Sequence, residues 1–195
     1  LNKLEENITY FLSIYNKLKE NPNHLDELAL HMGWDHDDLS LTQDLNTLSN
    51  EELEPDAENE SNPYTIHKHP VFIVTKALYK FLYLKWKNYI TEINPSISPL
   101  TSIEFSRTLH KGELNVFLAI QSLDLGDYGL TICHLKNSLS ELNKSLKIFE
   151  SLNNNYQSCP SLDEMKIRIF DLRELWIRVI NDCKYEFKSS SSNDS

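Results

Sequence analysis

HPVFIVTKALYKFLYLKWKNYITEI, residues 69–93, is the stretch whose reading decides the fold. Placed on a helix, its apolar side chains cover nearly the whole circumference, so the helix must make contact on several sides at once. Four lysines interrupt it (Lys76, Lys80, Lys85 and Lys87), and its longest uncharged run is the six residues from Pro70 to Thr75. Crossing a bilayer takes ~20 consecutive apolar residues. The stretch therefore reads as the central, most buried helix of a helical domain, with no membrane implied.

Downstream, Asn94-Pro95 and Ser98-Pro99 form a rigid connection. Thr101 or Ser102 can cap a helix over about 102–123, with Glu104 in its first turn. Phe105, Leu109, Gly112, Val116, Ala119 and Leu123 form its apolar seam, and the small Gly112 and Ala119 invite close approach of a neighbour. Leu125-Gly126-Asp127 turns the chain. A helix over about 127–152 then repeats Leu135, Leu139, Leu142, Leu146 and Phe149 in steps of four and three.

A polar loop follows, and Ser161-Leu162-Asp163-Glu164 has the form of a capping box opening the last helix, about 162–187. Its seam is Leu162, Met165, Ile169, Leu172, Trp176, Val179 and Cys183. Two heptad helices joined by a short loop make an antiparallel hairpin most simply. No segment shows sustained strand alternation, and the tail 188–195, KSSSSNDS, has nothing to bury and is expected to be disordered. The expectation is an all-α fold: an up-down four-helix bundle over about 69–93, 102–123, 127–152 and 162–187.

Upstream, Leu1, Leu4, Ile8, Phe11, Tyr15 and Leu18 mark a helix over 2–19, stopped by Asn21-Pro22-Asn23. A short helix follows over Leu25 to Met32 with Gly33 as its C-cap. A third, capped by Asp37 or Asp38, runs to about Leu48. These N-terminal helices (1–48) pack on the bundle, with an acidic loop over 49–68 between, in a single helical domain over 1–187. A length of 195 residues is enough for such a core.

Charge is distributed unevenly. Residues 20–62 hold thirteen Asp or Glu and no Lys or Arg, while Tyr64 to Ile93 carries five lysines against one glutamate. The plainer interpretation folds the acidic segment back over the lysines within one molecule. The functional one makes one of the two surfaces a docking face, with Lys76, Lys80 and Lys87 on one side and Asp56, Glu58 and Glu60 on the other as candidate partner-binding residues. The net charge of −10 argues against nucleic acid and anionic membrane as partners of the whole molecule. Four glycines in all leave no phosphate-cradling loop. Cys133, Cys159 and Cys183 have no CxxC spacing, and two of them sit inside apolar helical patterns, which suits reduced thiols of a cytoplasmic protein.

Histidine is the remaining place to look for chemistry. His24, Glu27, His31 and Asp35 could align on one helix and hold a divalent metal, with His67 and His69 in reach. Gly33 interrupts that helix, and the plainer interpretation is an acidic surface with incidental histidines. A carboxylate-bridged di-metal bundle needs Glu-x-x-His, which occurs nowhere in the chain. Histidine phosphotransfer bundles place His-x-x-Lys-Gly on an exposed helix. Neither His110-Lys111-Gly112 nor His134-Leu135-Lys136 keeps that spacing. Gly-x-Ser-x-Gly is absent, and the three tryptophans suit a core better than a ligand pocket.

Two stretches carry family resemblances. LDLGDYGLTICHLKNSLSEL, residues 123–142, resembles the helix-turn-helix of one tetratricopeptide repeat, but the motif does not recur 34 residues to either side. ALYKFLYLKWKNY (77–89) and SLSELNKSLKIFESL (138–152) make the span 70–187 similar to the small four-helix bundle proteins encoded as inserts in bacterial ribosomal RNA genes. That resemblance implies a nucleic-acid-associated bundle. The residues themselves point first to a non-enzymatic interaction or regulatory module with a protein partner. It needs no cofactor, could pair as a homodimer through a spare face, and has a small-ligand or metal-binding bundle as the alternative.

Overall fold

The computed structural model of the chain describes residues 2–32, 70–155 and 160–193. Among the described residues there are six helices and no strand, so the chain is all-α. The helices are α1 (Asn2–Leu18), α2 (His24–His31), α3 (Pro70–Asn88), α4 (Pro99–Asp124), α5 (Tyr128–Asn155) and α6 (Pro160–Asn193). None is long and apolar enough to cross a membrane. The expected third N-terminal helix and the acidic loop over 49–68 lie outside the described residues.

By packing, the chain divides into two compact units, Leu1–Val74 and Thr75–Ser195. In the first, α1 and α2 pack on each other. Ile8, Phe11 and Tyr15 are buried, as the periodicity of α1 requires, together with Leu25, Leu28 and Ala29 of α2. Phe11 stacks on Tyr15 at 5.8 Å between ring centroids, and Tyr15 meets the His24 ring edge-on at 5.9 Å.

The second unit is built on the heptad seams. α4 packs along α5, and α5 along α6. Each seam residue read from α4 and α6 is buried, and each fully buried Leu or Phe contributes ~1.5–3 kcal/mol relative to exposure. From Thr75 onward α3 presents Leu78, Tyr79, Leu82 and Trp86 to the interior. Trp86 stacks on Tyr89 at 5.5 Å and lies 4.2 Å from Phe105, which is in turn 4.9 Å from Phe149. This aromatic column ties α3, α4 and α5 together. Trp86 and Trp176 are both buried, so these two tryptophans belong to the core.

The turn between α4 and α5 shows why the sequence stops one helix and starts the next. Gly126 adopts a φ of 74°, open to a residue without Cβ. Its N–H donates to Leu123 O at 2.8 Å and that of Asp127 to Ser122 O at 2.9 Å, the paired bonds of a Schellman motif. The Asp127 carboxylate then caps α5, accepting from the Leu130 N–H at 2.8 Å.

Three helix ends differ from expectation. α4 begins at Pro99 rather than at 102, because proline suits the first helical position, where no N–H is needed. α6 begins at Pro160 for the same reason, and Glu164, assigned above to a capping box, reaches Lys85 of α3 at 2.8 Å. At its far end α6 continues to Asn193 through the serines, which lower helix propensity slightly but do not break a helix. α3 closes on a π-helical turn, Tyr89–Ile93, where the Asn94 N–H bonds to Tyr89 O at 2.8 Å.

Candidate functional site

The lysines of α3 fall into two kinds. Lys76 Nζ lies 3.1 Å from Glu113 Oε1 and 4.3 Å from the centroid of the Phe117 ring, both on α4. Tyr83, two turns on, donates its hydroxyl to Glu113 Oε2 at 3.1 Å. Burial first, and the Glu113 charge second, push the Tyr83 hydroxyl well above its ordinary pKa. Lys85 pairs with Glu164 on α6. Lys80 and Lys87 are exposed, with no ion pair among the described residues, and the half-exposed Leu84 lies between them. They share the side of α3 that carries Lys76 and Tyr83, so they flank the α3–α4 face.

The outward side of α4 carries a second periodic stripe, offset from the buried seam. Leu100, Ile103, Leu114, Leu118 and Leu125 are exposed on it, from 37% at Leu118 to 84% at Leu125. The exposed Arg107 and Lys111 fill the gap in the same three- and four-residue steps, with His110 alongside. The result is an apolar ridge with a cationic middle. Sequence reasoning finds the buried seam of α4 and misses this stripe; its signal is the offset leucine spacing from Leu100 to Leu125, readable once the inner seam is assigned.

The partner-binding residues proposed from sequence are thus only partly placed. Lys76 is held by Glu113, Lys80 and Lys87 face solvent, and Asp56, Glu58 and Glu60 lie outside the described residues. Glu113 and Tyr83 were not anticipated.

The histidine cluster is also only partly placed. His24, Glu27 and His31 lie on α2, and Asp35, His67 and His69 are outside the described residues. His24 donates from Nδ1 to Asn21 O at 2.9 Å, and Asn21 Nδ2 donates to Glu27 Oε2 at 2.8 Å. The helix-stopping Asn21 therefore engages two of the proposed ligands. Among the described residues, no group of three or more His, Cys, Asp or Glu is placed to hold a metal ion.

Inside the second unit, polar groups meet at two levels. Thr108 and Ser145 hydrogen-bond across α4 and α5 at 2.7 Å. Farther along, the Tyr79 hydroxyl, Ser138 Oγ and Trp176 Nε1 are buried without an aligned hydrogen-bond partner. Burial raises the Tyr79 pKa, and the nearby Ser138 and Trp176 only partly offset that. Gly112 makes room for this hydroxyl, since a Cβ there would lie 2.7 Å from Tyr79 Oη. The small residue on the α4 seam thus admits a tyrosine from a neighbouring helix.

Arg168, missed from sequence, is 1% exposed, with Glu164 at 3.8 Å, Asp171 at 4.0 Å and the Phe81 ring 5.2 Å away. It closes an ionic cluster between α3 and α6. His110 is exposed on the ridge, whereas His134 is half-buried with its Nδ1 unpaired. Comparison with known protein families, with curated proteins and with solved structures finds no match to this chain.

Proposed function

We propose that this chain is a non-enzymatic helical interaction module, in which α3 to α6 form an up-down four-helix bundle and the outer side of α4 docks a protein partner. The observation that carries this reading is the ridge Leu100, Ile103, Leu114, Leu118 and Leu125. Scattered exposed leucines are ordinary on protein surfaces, but a stripe at helical spacing along most of a 26-residue helix has the pattern of a helix seam that lacks its partner. The hairpin turn at Gly126 and the cross-helix contacts of α3 with α4 and α6 support the bundle arrangement. The ion pairs Lys76–Glu113 and Lys85–Glu164 join neighbouring helices of the second unit, a structural use of charge.

The test is site-specific photocrosslinking in an extract of the source cells. A benzophenone side chain at Leu118 is expected to yield one discrete protein adduct, which Leu114→Asp abolishes. The same probe at the exposed Ser140 of α5 is the control. Equal labelling at both positions, or no adduct at Leu118, overturns the reading.

A further inference from the structure

Resting on that reading, we propose that the partner presents an acidic amphipathic helix to the α4 ridge, its apolar side against the leucines and its carboxylates against Arg107, Lys111 and His110. The argument is charge complementarity. Between Ile103 and Leu118, α4 has two carboxylates: Glu104, exposed one turn before Arg107, and Glu113, which Lys76 and Tyr83 already engage. α3 has none from Pro70 to Asn88. On the ridge, Arg107 and Lys111 are exposed cations without an ion pair among the described residues, two against the one exposed carboxylate there, Glu104. A partner that covers the leucines removes water from these cations as well, and charges buried against a surface need opposite charges.

A second copy of this chain fits the ridge poorly. Over the stretch from Ile103 to Leu118 that carries its cations, the midpoint of the ridge falls between His110 and Lys111. A two-fold axis across that midpoint sets Lys111 against its own copy, and like-charge juxtaposition costs several kcal/mol. A phosphate backbone would answer the cations but leave the leucines in water. An acidic amphipathic helix answers both, and about 18 residues, or ~27 Å, would cover the ridge from Ile103 to Leu118.

The experiment is fluorescence anisotropy on the full chain at physiological salt, with folding of each variant checked by circular dichroism. The probes are a peptide of that length with Leu on one helical side and Glu flanking it, and the same peptide with Lys in place of Glu. Binding of the Glu peptide is expected, weakened tenfold or more by Arg107→Glu/Lys111→Glu and by Leu114→Asp/Leu118→Asp, with the Lys peptide inert. If both peptides bind alike and only the leucine variants matter, the acidic partner is wrong while the docking ridge stands. No binding of the Glu peptide, or a preference for anionic vesicles or single-stranded RNA over it, overturns the inference. The crosslinking result at Leu118 judges the interaction module separately.

Discussion

Gly112→Ala is expected to be harmful in this chain and helpful once one oxygen is removed elsewhere. An alanine Cβ at 112 would lie 2.7 Å from Tyr79 Oη, closer than carbon and oxygen tolerate, while the ring atoms Cζ and Cε1 are at an ordinary 3.5 and 3.6 Å. Tyr79 is 0% exposed, so its ring has little freedom to retreat. Overpacking of this kind costs about 1–3 kcal/mol. Against it stands the helix propensity of alanine over glycine, about 1 kcal/mol in a helix interior. The net expectation is a loss of about 1 kcal/mol. Tyr79→Phe removes the clashing atom, and that hydroxyl has no aligned partner to lose, so the single change should stay within about 1 kcal/mol of the parent. In the Tyr79→Phe background only propensity remains, and Gly112→Ala should stabilise by about 1 kcal/mol. Urea unfolding of the four proteins completes a double-mutant cycle with a coupling of about 2 kcal/mol, read as shifts in midpoint at constant slope. The same effect of Gly112→Ala in both backgrounds, or a gain in the parent, would refute the packing of α3 against α4 described above.

Two further outcomes follow from buried ionisable groups. Arg168→Ala leaves Asp171 buried beside Glu164 without its guanidinium, and removing one partner of a buried ionic cluster costs about 3–5 kcal/mol, so the urea midpoint should fall steeply; a change under about 1 kcal/mol contradicts the burial of the cluster. Stability should also fall with alkaline pH. Burial pushes the Cys183 thiol from an ordinary 9.0 up to about 12 and raises the Tyr79 and Tyr83 hydroxyls above an ordinary 10.0. The folded state thus favours the neutral forms. Their contribution is complete below about pH 9, where they are neutral in both states, and is lost as pH climbs toward the folded values. Urea midpoints measured from about pH 7 to 11 should drop above about 9, less so in Cys183→Ala, and a flat profile would contradict this.

The sequence carries the helical class and the inner seams because both rest on local periodicity. Leu135 to Phe149 and Leu162 to Cys183 can be read without knowing what they touch. Helix starts at Pro99 and Pro160 were displaced because serine and threonine look like caps wherever they precede an apolar run, and proline at the first turn outcompetes them. Arg168 could not be foreseen, since a charged residue one position from a heptad seam belongs equally to solvent or to a buried cluster. The choice depends on Phe81 arriving from α3, while Asp171 stands one turn on along the same helix. Lys76 is the same case in reverse. Its partner Glu113 lies 37 residues away, so sequence proximity suggested the acidic stretch before it instead.

Charge shows how a whole-chain number can mislead about a surface. The net −10 argues against nucleic acid for the molecule as a whole, but residues 1–69 hold 15 Asp or Glu and 4 Lys or Arg, while residues 70–195 hold 14 and 15. The helices from α3 onward are therefore almost neutral. Exposed charges are screened beyond ~8 Å at physiological ionic strength, so the ridge of α4 is governed by Glu104, Arg107, His110 and Lys111 rather than by the chain total. Exclusion by net charge does not carry over to that surface, and the preference for a protein partner must come from local pattern. The proposed protein partner rests on such a pattern: Arg107 and Lys111 sit between two groups of exposed apolar residues on one ridge. A polyanion would pair with Arg107 and Lys111 while leaving Leu114 and Leu118 hydrated, whereas the proposed acidic amphipathic helix would meet both.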